Sequence, residues 1–79
     1  MQSDRNHRRA LGAVLRAFRE RQQLSQETLG FSAELHRNYI GGVERGERNP
    51  SFESLSRWLA ALRVSWTEFG VALDEEQQT

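Results

Sequence analysis

Residues 24–46 read LSQETLGFSAELHRNYIGGVERG, and the fold turns on how this stretch is read. Ser25 is placed to cap a helix, with Gln26 and Glu27 in its first turn. Leu29 is the inward anchor, and the small Gly30 beside it would let another helix approach closely. Ser32, Ala33 and Glu34 make a tight turn. Leu35, Tyr39, Ile40 and Val43 then fall on one stripe of a second short helix. Its other face carries His36, Arg37, Asn38, Gly41, Gly42 and Arg45. Two short helices, a tight turn and a polar outer face bearing arginine make a helix-turn-helix of a shape that can enter the DNA major groove.

Outward from this unit, the chain predicts helices throughout. Leu11, Val14, Leu15 and Phe18 form a clean stripe on a first helix from about His7 to Gln23, after a flexible segment 1–6 in which Ser3 or Asn6 is a candidate cap. Gly46 is placed as a left-handed C-terminal cap of helix 3. Glu47 to Pro50 forms a loop, because the residue before proline is pushed out of the helical region. Ser51 caps a fourth helix carrying Phe52, Leu55, Trp58, Leu59 and Leu62. Arg63-Val64 breaks it, and Ser65 or Thr67 caps a fifth helix running to about Leu73. Residues 7–73 thus form one all-α, five-helix domain, and 74–79 a disordered acidic tail. Trp58, Trp66, Phe69 and Leu73 exceed the apolar load of one small core, and the surplus reads as a dimer interface.

The chain has 79 residues, enough for one small domain. A domain of this size buries only about 60% of its unfolded surface, so dimerisation would help it. With no cysteines, disulfides and thiolate metal sites are excluded, and His7 and His36 alone make no zinc site. Nothing approaches the roughly 20 apolar residues of a membrane span, and no signal-peptide core is present, so a cytoplasmic, nucleoid-associated protein is expected. A net charge of zero hides an asymmetry. Residues 1–63 hold all 11 arginines against 7 acids, while residues 64–79 hold 4 acids and no base. A basic body with an acidic tail suits phosphate binding at one end, although scattered surface charge would give the same sums.

Gly41 and Gly42 inside helix 3 each cost roughly 1 kcal/mol against alanine, which suggests that something comes very close to the backbone there. DNA is one candidate. Arg37 and Asn38 are suited to bidentate contacts with guanine and adenine, respectively; solvated side chains at a helix start are the plainer alternative. Arg45, at the helix end, suits a phosphate or the helix C-terminus better than a base. Tyr39 reads mainly as core, with a hydroxyl that could reach a phosphate.

LSQETL, YIGGVERG, NPS and the five-helix apolar pattern resemble the phage-repressor and Cro type of helix-turn-helix, also called the xenobiotic-response-element type, over about Leu11 to Phe69. The run LSQETL…RNYIGGVERGERN is most similar to the controller proteins of restriction–modification systems, small all-helical homodimers that regulate their own operon and the endonuclease gene. The resemblance implies a lambda-repressor-like bundle and a set of roles. Gln26 would touch a phosphate and brace the recognition helix. Arg37 and Asn38 would read bases, and Gly42 would stand where a third reader is missing. His36 would cap the helix or touch the backbone, and Arg48 and Asn49 would lie along the phosphates. Arg19 and Glu44 would form a structural ion pair between helices 1 and 3. Glu34 departs from the family, which often has glycine there; holding a left-handed conformation would cost it about 1 kcal/mol.

The function implied is a sequence-specific transcriptional regulator that binds double-stranded DNA of two-fold symmetry as a homodimer, with two dimers conceivable on one operator. Phage-type repressor and antitoxin-like protein are the alternatives. An enzyme is not expected, since no nucleophile–base–acid set or phosphate-cradling loop is present, and no cofactor, metal or small-molecule ligand is expected either.

Overall fold

A computed structural model describes the backbone of residues 2–78 and the side chains of residues 6–78. Met1, Thr79 and the side chain of Ser3 lie outside the described residues. Five helices follow in order: α1 (Gln2–Arg21), α2 (Gln26–Ala33), α3 (Arg37–Glu44), α4 (Phe52–Leu62) and α5 (Trp66–Gln78). The described residues contain no strand. α1 packs on α3 and α5, and α2 packs on α3 and α4.

The caps explain why the short helices start where they do. The Ser25 side chain accepts from the Thr28 N–H at 2.9 Å, and Ser51 does the same for Ser54 at 3.0 Å. Ser65 and Glu68 form a reciprocal capping box, with the Ser65 hydroxyl accepting from Glu68 N and the Glu68 carboxylate from Ser65 N, both at 3.0 Å. α1, α2 and α4 end on non-glycine residues in the left-handed region: Gln23 (φ 60°), Glu34 (φ 59°) and Arg63 (φ 58°). After α3, Gly46 takes φ 78°. Glu34 therefore holds the left-handed conformation for which its relatives often use glycine.

The apolar stripes meet in one core. Leu15, Leu29, Ile40, Val43, Trp58, Leu59 and Leu62 are fully buried, joined by Val14, Phe18, Val64 and Phe69. Two of the residues expected at a dimer interface therefore belong elsewhere. Trp58 is 0% exposed and Phe69 5%. Trp58 lies on the inward stripe of α4 between Leu55 and Leu62, where one large slab fills the centre of five short helices. Its indole N–H has no hydrogen-bond partner among the described residues. Trp66 (46% exposed) and half-buried Leu73 remain nearer the surface.

The outer helices are longer than the apolar pattern suggested. α1 starts at Gln2 rather than His7, because nothing breaks the helix before the stripe begins. It stops at Arg21 rather than Gln23, where the Gln22 and Leu24 N–H groups both turn back to the Arg19 carbonyl. α5 continues through Gln78, so residues 74–78 of the acidic tail are helical rather than disordered. Glutamate and glutamine are good helix formers, and nothing after Leu73 ends the helix.

Candidate nucleic-acid interface

The interface is built on a buried ion pair. Arg19 of α1 donates to Glu44 of α3 through a fork, Nε to Oε2 at 2.7 Å and Nη2 to Oε1 at 2.9 Å. Its third nitrogen donates to the Leu24 carbonyl at 2.7 Å. Hydrogen bonding to Glu44 holds the guanidinium above its ordinary pKa, against the opposing effect of burial. Glu44 Oε1 also accepts from Gln26 Nε2 at 3.0 Å. One carboxylate thus ties together the end of α1, the start of α2 and the end of α3.

Glycines set the spacing of this scaffold. A Cβ at Gly12 would lie 2.3 Å from the Val43 carbonyl oxygen and 2.6 Å from that of Glu44, so α1 and α3 approach too closely for any side chain there. A Cβ at Gly30 would meet the Leu35 carbonyl oxygen at 2.4 Å; the close neighbour is the turn's own backbone, not another helix. At Gly41 it would lie 3.4 Å from Gln26 Oε1 and 3.0 Å from Arg45 Nη1, and at Gly42 it would lie 3.1 Å from Arg48 Cδ. The close neighbours of the Gly41-Gly42 pair are therefore side chains of this chain, namely Gln26, Arg45 and Arg48.

α3 presents its N-terminal end outward. His36 is its N-cap, and Nδ1 accepts from the Asn38 N–H at 3.0 Å. Arg37 and Asn38 are exposed beside it. Arg37 Nη1 donates to Glu27 Oε2 of α2 at 3.2 Å. Tyr39 is half-buried. Its hydroxyl oxygen accepts from Ser51 N at 3.3 Å, and Arg48 stacks over its ring at 4.9 Å. The phenolic proton remains available for donation outward. Past the helix end, Arg45 grips Glu47 through Nε at 3.0 Å and Nη2 at 3.2 Å. That pairing raises the Arg45 pKa and lowers that of Glu47. Arg48 and Asn49 are exposed in the following loop.

The structure thus brings Gln26 and Arg45 together over Gly41, and Arg48 against Tyr39 and Gly42. Three features escaped the reading of the sequence. Glu27 partners Arg37 although it reads only as a helix-start acid. Gly12 flanks the α1 stripe, and a glycine in a helix interior, which costs stability, was the available signal. Phe52 is 76% exposed and stacks on Trp66, ring centroids 5.3 Å apart, despite falling on the apolar side of α4. Among the described residues no group of three or more histidines, cysteines, aspartates or glutamates could hold a metal, and no helix is long and apolar enough to cross a membrane.

Two short helices set by a buried ion pair, with an arginine and an asparagine at the exposed start of the second, define a helix-turn-helix. A helix-turn-helix family model matches residues 15–69. The chain is 40% identical over 60 residues to the control protein C.BamHI of Bacillus amyloliquefaciens, covering 75% of this chain and 74% of that one. Its fold is similar to that of the restriction-modification controller protein C.AhdI from Aeromonas hydrophila (TM-score 0.76, 42% identity, 78% of this chain and 94% of that one). It also matches the controller protein C.Esp1396I, solved as a tetramer on its natural 35-base-pair operator (TM-score 0.87, 30% identity, 92% of this chain and 96% of that one). The chain belongs to the helix-turn-helix family, among the controller proteins of restriction–modification systems.

Proposed function

We propose that this chain regulates transcription of a restriction–modification operon, its own gene included, by binding a two-fold symmetric operator as a homodimer. It is a DNA-binding regulator and not an enzyme. The observation that carries the reading is the exposed start of α3, Arg37 and Asn38, on a scaffold locked by Arg19, Glu44 and Gln26. Arg37 reads a guanine and Asn38 an adenine in the major groove. Gln26, His36, Tyr39, Arg45, Arg48 and Asn49 face the phosphates on either side. Two recognition helices then lie about 34 Å apart, one helical turn of DNA.

The dimer seam is formed by Trp66 and Leu73 together with Phe52 and Val71, which are exposed and apolar at the α4–α5 end of the domain. Two dimers sit side by side on one operator, as in the tetrameric complex of C.Esp1396I. The working compartment is the cytoplasm, at the nucleoid.

Footprinting on the DNA upstream of the gene tests this reading, with Arg37→Ala alongside. A protected inverted repeat that is lost in the folded variant supports it. Absence of any specific footprint at physiological salt rejects self-regulation at that site.

A further inference from the structure

We propose that Glu27 is a specificity-determining residue, which holds Arg37 in its reading position and screens it from non-specific phosphates. The proposal rests on Arg37 being a base reader. Glu27 lies in the first turn of α2, next to Gln26, and its Oε2 accepts from Arg37 Nη1 at 3.2 Å. Both side chains are largely exposed, 63% for Glu27 and 61% for Arg37. An exposed pair of this kind contributes little to folding. Its importance lies in what Arg37 does next.

A guanidinium has five N–H donors, and one of those on Arg37 is engaged by Glu27. The remainder still include a pair able to reach guanine O6 and N7 together. A base edge and Glu27 are therefore satisfied at the same time. A phosphate is a different partner. A lone arginine is attracted to any phosphate on any duplex, whereas the Arg37–Glu27 pair is nearly neutral and gains little from a bare charge. The carboxylate thus weakens the non-specific binding that rests on charge alone while leaving the geometry-dependent base contact intact, which is specificity through penalising the wrong partner. Holding the long side chain in place beforehand also reduces the ordering required on the operator.

The test uses full-length protein, the footprinted operator and a random duplex of equal length, with affinities measured at several salt concentrations. Glu27→Gln is expected to bind the random duplex about three- to tenfold more tightly and to narrow the operator-to-random ratio by about tenfold. Arg37→Ala is expected to reduce that ratio on its own, and adding Glu27→Gln to it should reduce it no further. Unchanged melting curves would show that folding is not the cause. A ratio unchanged in Glu27→Gln but reduced in Arg37→Ala makes Glu27 a bystander and overturns the proposal. An equal loss from Glu27→Gln with and without Arg37 means that Glu27 contacts DNA independently, which also overturns it. A ratio unchanged in Arg37→Ala rejects the base-reading assignment itself, so the two failures are distinguishable.

Discussion

Arginines on this chain do different work according to what surrounds them. Arg19 is buried, and each of its three guanidinium nitrogens is already engaged by Glu44 or the Leu24 carbonyl. Removing one partner of such a pair strands the other in a dry site, at a cost of about 3–5 kcal/mol. Glu44→Ala should therefore lower the midpoint of chemical denaturation sharply, and any loss of DNA binding would follow from unfolding. Arg37 is the opposite case. Arg37→Ala should melt like the parent chain and lose about 1–3 kcal/mol of discrimination between operator and mismatched DNA. Arg45 and Glu47 are a third case, exposed like Arg37 but paired by two aligned hydrogen bonds. Because Arg45 lowers the Glu47 pKa, the pair favours the fold above the ordinary glutamate value, about 4.3, and that contribution is lost as pH falls through the lowered one. An NMR titration should find Glu47 below the usual carboxylate range and returned to it in Arg45→Ala.

At the scale of the helix, caps and stripes were legible in the sequence. Ser25 and Ser51 sit where side-chain caps are needed, and the α1 stripe is buried. The ends of α1 and α5 were not legible, because a polar helix has no apolar rhythm to mark it. Nor was Glu27 as the partner of Arg37, since that contact joins two helices across a turn. The aromatic residues can be counted in the sequence, but a count cannot say which ring turns inward. Trp58 took the core, while Phe52, at the first turn of α4, was left outside. The turn after α2 gives a direct test. Glu34 sits at φ 59°, a conformation that costs an ordinary residue about 1 kcal/mol. Glu34→Gly should raise the melting temperature, with part of the gain offset by glycine's greater freedom in the unfolded chain.

For the molecule as a whole, the charge asymmetry and the apolar end divide the surface between two tasks. The starts of α2 and α3 offer polar and arginine side chains, while Phe52 and Trp66 form an exposed stacked pair elsewhere on the chain, and Val71 is exposed further along α5. Trp66→Ala should shift sedimentation toward monomer at concentrations where the parent chain is dimeric, without unfolding it. Trp58→Ala should instead destabilise the monomer by about 3–5 kcal/mol. If each subunit of the proposed dimer neutralises about four phosphates, the logarithm of operator affinity should fall with that of salt at a slope near −7.

The two tryptophans also make the protein its own spectroscopic reporter. Trp58 is sealed in the core, while Trp66 is about half exposed and stacked on Phe52. Trp58 should emit at short wavelength and resist acrylamide until the chain unfolds. Trp66 should emit further to the red and be quenched freely in the monomer, then become shielded as a second copy covers it. With Trp66→Phe and Trp58 left as the sole indole, fluorescence would follow folding; with Trp66 quenching read in the parent chain, the same instrument would follow assembly, so the two equilibria can be separated without any added label.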